Sequence, residues 1–156
     1  MKYDIIVSVD AGINGGIAVH KHGKLIHVEK MPKRKIKEKN AVDVHRITQI
    51  LTYLKGQGTV IAVVEHLSMW KGEDPARQFG IQKMLFNHRD VTTTIKLNEI
   101  PLIEPHARTW QKHFNTPKKM EKQERKRWLK EVAKIYYPDV NCLQEESRSS
   151  ELDQII

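Results

Sequence analysis

Short runs of β-branched and other apolar residues alternate with polar turns at the start of the chain. Residues 3–9, 15–20 and 24–28 form such runs, and glycines lie in the turns that separate them. Apolar runs of this length, bounded by glycine-containing turns, are typical of neighbouring antiparallel strands. The pattern therefore predicts a three-stranded meander whose first strand leads directly into Asp10.

Helical spacing replaces the strand pattern further along. Apolar residues recur at helical intervals over 42–54 and two glycines follow, which predicts a helix that stops there. Residues 59–64 are apolar on both faces, as in a central strand covered by helices, and Glu65 follows them. Similar patterns predict helices over 76–88, 106–114 and 120–136 and a short strand over 100–103. We therefore expect an α/β fold, in which a mixed sheet of three antiparallel strands and further parallel strands carries helices on both faces.

Three finer expectations accompany this outline. Residues 31–40 are polar and rich in Lys and Arg, which predicts a loop or a flexible strand extension. Trp110 and Phe114 have helical spacing, and we expect them in the core rather than facing DNA. The buried stripe of the last helix is expected to comprise Leu129, Val132, Ala133 and Tyr136.

The length and charge of the chain narrow the range of functions. Its 156 residues are enough for one domain and too few for two of ordinary size, so we expect a single domain over 1–156. Its 27 Lys and Arg against 19 Asp and Glu give a formal net charge of +8, which favours a polyanionic partner. Nucleic acid is the first candidate and an anionic membrane surface the second. A basic surface that serves solubility alone is the alternative.

Cysteine usage and hydropathy bear on the compartment. Cys142 is the only cysteine, so the chain has no intrachain disulfide or cysteine-based zinc site, which fits a reducing cytosol. No apolar run approaches the ~20 residues of a membrane span, and the first residues lack the order of a signal peptide. We expect a soluble, cytoplasmic protein without a membrane partner.

Two carboxylates follow directly after predicted strands. Asp10 opens a glycine-rich turn, and Glu65 opens a polar loop. If the two strands are neighbours, both side chains emerge at the same edge of the sheet. The alternative is that Asp10 caps its own turn and that Glu65 is a surface charge.

Convergent carboxylates favour a metal site. Without a cation they would repel one another, whereas hard divalent ions prefer oxygen ligands and hold both ionised. Two such ions roughly 3.5–4 Å apart can activate water and stabilise the leaving oxygen in phosphodiester cleavage. Asp10 is the best candidate to bridge the two ions.

The sequence resembles the RuvC group of Holliday-junction resolvases, notably its small phage-type members. The resemblance rests on IIVSVDAGINGGIAV, AVVEHL and LIEPHARTWQKHF, followed by a Lys-rich helix, and in element order it covers nearly the whole chain. It implies an RNase H-like fold, a homodimer, Mg²⁺ or Mn²⁺ as cofactor and paired nicking of four-way DNA junctions. By the same resemblance, Asp10 and Glu65 take the places of the first two acidic ligands.

The C-terminal residues depart from this group. Its members usually present two aspartates, three or four residues apart, at the start of a final helix. Asp153 matches the second, whereas Ser150 or Ser149 stands where the first would be. On a helix Glu151 points about 200° away from Asp153, so it would compensate for the missing ligand only in an irregular segment. The alternative is a plain helix start with Ser150 as its N-cap.

Several basic and aromatic residues are candidates for DNA contact. The expected contacts comprise Lys33, Arg34, Lys35, Trp70, Lys118, Lys119 and Lys122, with Arg125 and Lys126 on the same helix face as Lys122. The lysines and arginines suit phosphate contacts, and Trp70, with Met69 beside it, suits stacking or wedging at unpaired bases. The alternatives are a solvated helix face, a disordered loop over 31–40 and burial of Trp70.

The remaining expectations concern assembly and competing functions. The helix over 76–88 is the candidate dimer interface, through Phe79, Met84, Leu85 and Phe86. His66 and His106 are candidates for positioning water or phosphate, although a structural role is more usual. The competing functions are a branched-DNA-binding protein that has lost catalysis and a related ribonuclease for structured RNA.

Overall fold

The computed structural model describes residues 2–67, 75–114, 117 and 120–138, and at 75–78 and 122 it describes the backbone alone. Its strands are β1 (Ile5–Asp10), β2 (Gly16–Lys21), β3 (Lys24–Lys30), β4 (Lys33–Ile36), β5 (Lys39–Val42), β6 (Val60–Val64) and β7 (Leu102–Ile103). Its helices are α1 (Val44–Lys55), α2 (Pro75–Leu97), α3 (Ala107–His113) and α4 (Lys122–Tyr136). Among the described residues, no helix combines the length and apolar character needed to cross a membrane.

Five strands form one mixed sheet in the order β3-β2-β1-β6-β7. The β1, β2 and β3 strands pair antiparallel, which confirms the predicted meander. The β6 strand pairs parallel with β1 and with β7, so β6 is internal and covered on both sides, as its apolar run predicted. The expected α/β class with a mixed sheet is confirmed.

The parallel register of β1 and β6 is reinforced where these strands begin. Oδ2 of Asp4 accepts hydrogen bonds from the backbone N–H of Thr59 at 2.9 Å and from its hydroxyl at 2.7 Å. These two bonds hold the pKa of the Asp4 carboxyl below its usual range. Gly58 leaves room for the contact, because a Cβ there would lie 3.0 Å from Oδ2 of Asp4. The β1 and β6 strands therefore begin at paired residues, Ile5 and Val60, and end at paired residues, Val9 and Val64.

The sheet carries helices on both faces. Alternate residues of β1 and β2, among them Val7 and Val19, are fully buried in a core shared with α1 and the second half of α2. His20 faces the opposite side, where its Nε2 lies 3.0 Å from the Tyr137 hydroxyl just after α4. Burial lowers the pKa of His20, because the imidazolium would lose its hydration there. The C-terminal helices thus lie on the second face, where Ser8 and Ala18 remain partly exposed.

Residues 31–40 were predicted as a loop or a flexible strand extension, and they form strands. The β4 and β5 strands form a separate two-stranded antiparallel sheet, in which Lys33 pairs with Val42 and Ile36 with Lys39. The segment has no apolar period because every residue of β4 is exposed. Of the two hairpin strands only Val42 is buried, and Met31, just before the hairpin, is also part of the core. This hairpin is held by backbone hydrogen bonds, which the hydropathy of the side chains does not reveal.

Two helical predictions need correction. The helix predicted over 76–88 continues to Leu97, although its second half is rich in β-branched residues that disfavour helix. Val91 and Ile95 are fully buried there, and Thr94 satisfies its hydroxyl on the backbone oxygen of Asp90, so packing outweighs propensity. In α4, Tyr136 was expected on the buried stripe but is 61% exposed.

Candidate metal centre at the ends of β1 and β6

Asp10 is the last residue of β1, and its side chain is held by the turn that follows. Oδ1 of Asp10 accepts a hydrogen bond of 3.1 Å from the backbone N–H of Gly12. The turn closes with a second bond of 2.9 Å, from Gly15 N–H to the Gly12 carbonyl. A Cβ at Gly15 would lie 2.1 Å from the Asp10 carbonyl oxygen and 2.7 Å from its Cγ. Glycine at this position is therefore required by the packing of the turn around Asp10.

Glu65 lies beside Asp10 because of strand register. Val9 pairs with Val64 in the parallel ladder, and each carboxylate residue is the next residue along its strand. Both side chains line a cavity of about 640 Å³ whose floor contains Ser8, Gly16 and Ala18. These small residues lie on the sheet face opposite the α1 core. The expectation that Asp10 and Glu65 emerge at the same edge is confirmed by this geometry.

Trp110 contacts Glu65 directly and lines the same cavity. Its indole Nε1–H donates a 2.9 Å hydrogen bond to Oε2 of Glu65. The expectation that Trp110 belongs to the core is wrong: the side chain is half-buried, and its polar edge faces the carboxylate. Its ring also contacts Phe114 edge to face, with 6.4 Å between ring centroids. Sequence reasoning missed the role of Trp110 in this site.

A second, smaller cavity of about 100 Å³ lies on the α2 side of the carboxylates. Asp10 and Glu65 line it together with Met84 and His88 of α2. Nε2 of His88 is 3.1 Å from the backbone oxygen of Glu65 and 3.5 Å from Oε1 of Glu104. The bond to the carbonyl places the ring proton on Nε2, so His88 fastens α2 to the end of β6. Nothing in the sequence around His88 indicates this role.

The two carboxylates fit a hard divalent cation. Within the described part of the chain, each has one oxygen engaged by a hydrogen bond, and neither is paired with Lys or Arg. Asp10 is exposed at the mouth of the cavity, and oxygen donors of this kind are what Mg²⁺ and Mn²⁺ prefer. The described residues contain no group of three or more acidic, His or Cys side chains that converges on one point.

Some of the expected site residues lie outside the described residues. These are Trp70, Lys118, Lys119, Glu151 and Asp153, and Lys122 is described by its backbone alone. Lys33 contacts the turn that follows Asp10, because its Nζ donates a 3.2 Å hydrogen bond to Oδ1 of Asn14. Arg34 and Lys35 are exposed on the same hairpin.

His66 and His106 contact one another rather than the cavity. Their rings lie edge to face with centroids 4.3 Å apart, and the two residues form a parallel bridge that continues the pairing of β6 with β7. The backbone N–H of His66 also donates to the Pro105 carbonyl at 3.0 Å. This arrangement favours a structural role for both histidines.

The backbone of the chain is similar to that of a junction-resolving nuclease. A structure described as T. thermophilus RuvC in complex with Holliday junction substrate matches with a TM-score of 0.50 and 16% identity, over 96% of this chain and 86% of that chain. The chain has a RuvC-like fold. A second Thermus thermophilus RuvC structure matches with a TM-score of 0.45 and 16% identity, over 96% and 87% of the two chains. No protein-family model and no curated protein matches the sequence.

The RuvC-like fold agrees with the resemblance seen in the sequence motifs. At 16% identity the likeness establishes the arrangement of strands and helices, including the expected RNase H-like sheet. In this fold the carboxylates of β1 and β6 meet because the two strands are parallel neighbours. The chemistry of the site has to be argued from its own residues.

Proposed function

We propose that this protein is a metal-dependent nuclease that cleaves phosphodiesters in branched DNA, with four-way junctions as its main substrate. The observation that carries the proposal is the placement of Asp10 and Glu65, side by side at the ends of parallel strands and on one cavity. The RuvC-like fold and the net charge of +8 support the same conclusion. The substrate class follows from the fold likeness together with the basic surface.

The carboxylates would hold Mg²⁺, or Mn²⁺ in its place, through the oxygens that their hydrogen bonds leave available. Bound there, divalent cations would stabilise charge on the phosphate oxygens and activate the attacking water. The residues of the chain prepare this site in advance. The Gly12 N–H and the Trp110 indole each fix one carboxylate oxygen, so the remaining oxygens of Asp10 and Glu65 are aimed before any ligand binds.

Asp153 is our proposed third ligand, and Glu151 is the alternative if that segment is irregular. The basis is the match of Asp153 to the second C-terminal aspartate of RuvC-type nucleases. A further carboxylate would supply the ligand that the described residues lack. We propose that the nuclease domain spans residues 1–156 and acts in the cytoplasm, in line with the single cysteine.

The proposed active form is a homodimer, because a four-way junction presents two equivalent strands and a two-fold axis supplies two equivalent sites. The α2 helix supports this assignment. Phe79 and Phe86 are seven residues apart, hence on one stripe of the helix, and they are 69% and 55% exposed. Met84, also proposed for the interface, is 52% exposed and in addition lines the small cavity beside Asp10 and Glu65.

The proposed DNA contacts fall into two groups. Lys118 and Lys119, which precede α4 in the sequence, and Lys122, the first residue of α4, would bind phosphates of the DNA backbone. Trp70, which follows Glu65 in the chain, would stack on unpaired bases at the branch point. Lys33, Arg34 and Lys35 of the β4-β5 hairpin form the second group.

Strand-specific nicking of a labelled four-way junction tests this function. The wild-type protein is expected to nick in Mg²⁺ or Mn²⁺ and to be silent in EDTA. Asp10→Asn and Glu65→Gln should abolish nicking while junction binding in EDTA remains. Glu99→Gln is the matched control, because Glu99 is exposed at the opposite end of the sheet, just before β7.

Two results would contradict the proposal. One is a metal-loaded wild-type protein that binds junctions and never cuts, which would indicate a branched-DNA-binding protein. The other is equal activity of Asp10→Asn and wild type, which would place the chemistry elsewhere. A junction of the same geometry built from RNA should be cut much more slowly, and preferential RNA cleavage would reassign the substrate to structured RNA.

A further inference from the structure

The β4-β5 hairpin is a cationic ribbon set apart from the main sheet. It carries Lys33, Arg34, Lys35, Lys37 and Lys39 against a single carboxylate, that of Glu38. All residues from 33 to 40 are exposed. Among the described residues, no carboxylate lies within ion-pair distance of any of the five cations. Their charge is therefore available to an external partner.

The turn of the hairpin consists of two charged residues in a backbone conformation that is unfavourable for them. Lys37 and Glu38 both have positive φ, of 44° and 65°, as the central residues of a two-residue hairpin turn. Asn-Gly or Asp-Gly usually fills such a turn, because other residues are strained in the left-handed region. Strain of this kind is tolerated where the surrounding structure holds it, and it is concentrated at functional segments. The tip is thus short, tightly turned and charged.

The base of the hairpin lies next to the carboxylate centre. Lys33 donates its hydrogen bond to Asn14, which belongs to the turn that follows Asp10. The backbone N–H of Met31, just before the hairpin, donates to the Gly15 carbonyl of that turn at 2.9 Å. An open hollow of about 630 Å³ lies beside the base, and its lining combines Lys30 and Lys33 with Glu29 and Asp43. Four residues per strand extend about 13 Å from this base.

We propose that the β4-β5 hairpin binds the phosphates of a duplex DNA arm beside the carboxylate centre, lying along or within its major groove. A two-stranded ribbon has the width that the major groove admits, and closely spaced cations match the phosphates on either side of the groove. The hairpin has little apolar surface, chiefly Ile36, which is 46% exposed, so insertion into a lipid bilayer is disfavoured. The proposal rests on the nuclease function proposed above, and it specifies which surface holds the flanking duplex.

Binding measured in EDTA tests the hairpin separately from cleavage. The test variant is Lys33→Gln/Arg34→Gln/Lys35→Gln, assayed by fluorescence anisotropy on a four-way junction and on linear duplex over a range of salt concentrations. Each lost phosphate contact lowers the slope of log affinity against log salt by about 0.9. We expect the slope to fall by about 3 and the affinity to fall about tenfold or more at low salt. A charge-keeping variant, Lys33→Arg/Lys35→Arg, should bind as wild type does.

Two control variants separate this contact from general charge and from hairpin shape. Lys21→Gln/Lys24→Gln/Lys96→Gln removes three cations from the opposite end of the fold, away from Asp10, and should leave the slope nearly unchanged. Glu38→Gly relieves the strain at the second position of the turn and keeps all five cations, so this variant should bind duplex DNA at least as tightly as wild type does. Thermal unfolding of each variant checks that the fold is retained.

Three results would overturn the proposal. The first is equal affinity for duplex DNA of the hairpin triple variant and the control triple variant, which would show that the hairpin cations act only through net charge. Retained binding to DNA together with lost binding to phosphatidylserine vesicles would assign the hairpin to a membrane surface. Equal loss for single-stranded and duplex DNA would exclude groove recognition. These binding assays contain no metal, so their outcome does not depend on whether the protein cuts DNA. If the wild-type protein does not cut, the nuclease proposal fails while the hairpin proposal is still tested by binding.

Discussion

The indole N–H of Trp110 donates a 2.9 Å hydrogen bond to Oε2 of Glu65, across 45 residues of sequence. Trp110 is the fourth residue of α3, and Glu65 directly follows the internal strand β6. Through this contact Trp110 orients the Glu65 carboxylate. It fixes one oxygen of Glu65 and leaves the other for a ligand, as partner residues in metal sites commonly do.

Replacing Trp110 with Phe tests this positioning role. Removal of the hydrogen bond should leave Glu65 free to rotate and weaken apparent Mg²⁺ affinity in the nicking assay by about 10- to 100-fold. The readout is the metal concentration for half-maximal nicking, since loss of positioning is offset at high metal concentration. Phe114→Leu is the control, because it removes the ring beside Trp110 and keeps the hydrogen bond. Equal shifts for both variants would show that packing, not the hydrogen bond, matters.

Gly15→Ala should displace Asp10 by altering the backbone of the turn that follows it. Its Cβ would lie 2.1 Å from the Asp10 carbonyl oxygen, so the turn has to move and Asp10 has to move with it. We expect a loss of about 1–3 kcal/mol in the free energy of unfolding and loss of nicking. Gly80→Ala, in α2, has nothing within 4 Å of the added methyl and should stabilise the fold by about 0.5–1 kcal/mol. Urea unfolding measures both changes, and full activity of Gly15→Ala would contradict the prediction.

Asp153→Asn and Glu151→Gln separate the two candidates for the third ligand. If Asp153 is the ligand, Asp153→Asn should abolish nicking in Mg²⁺ as Asp10→Asn does, while Glu151→Gln retains activity. The reverse ranking would assign the ligand to Glu151. Full activity of both single variants and of the double variant would show that neither side chain serves the metal site. Junction binding in EDTA should be retained throughout.

His20 should make the protein less stable as the pH falls. Burial lowers its folded pKa below the ordinary value of 6.5, so the unfolded chain binds the proton first. The free energy of unfolding should therefore decrease as the pH falls from about 7 through the lowered pKa. His20→Gln should reduce this decrease in urea unfolding compared at pH 7.5 and pH 5. His45→Gln, at an exposed position of α1, is the control, and an unchanged pH dependence in His20→Gln would refute the assignment.

The sequence alone determined the features that depend on local patterns. The β1, β2 and β3 meander, the α1 helix and the internal β6 strand all follow from the alternation or helical recurrence of apolar residues, which neighbouring positions record directly. Asp10 and Glu65 were recognisable because each directly follows such a strand. Their meeting required the further assumption that the two strands are adjacent, which the structure confirms.

Tertiary structure decided what depends on distant contacts. The α2 helix continues to Leu97 because Val91 and Ile95 are buried against the rest of the core, and this burial outweighs a weak local propensity. The β4-β5 hairpin forms through backbone pairing between two polar segments. The hydropathy pattern of the side chains does not reveal such pairing. Trp110 looked like a core residue because spacing along a helix does not reveal its partner. Only the packing of α3 against the end of β6 places its N–H on Glu65.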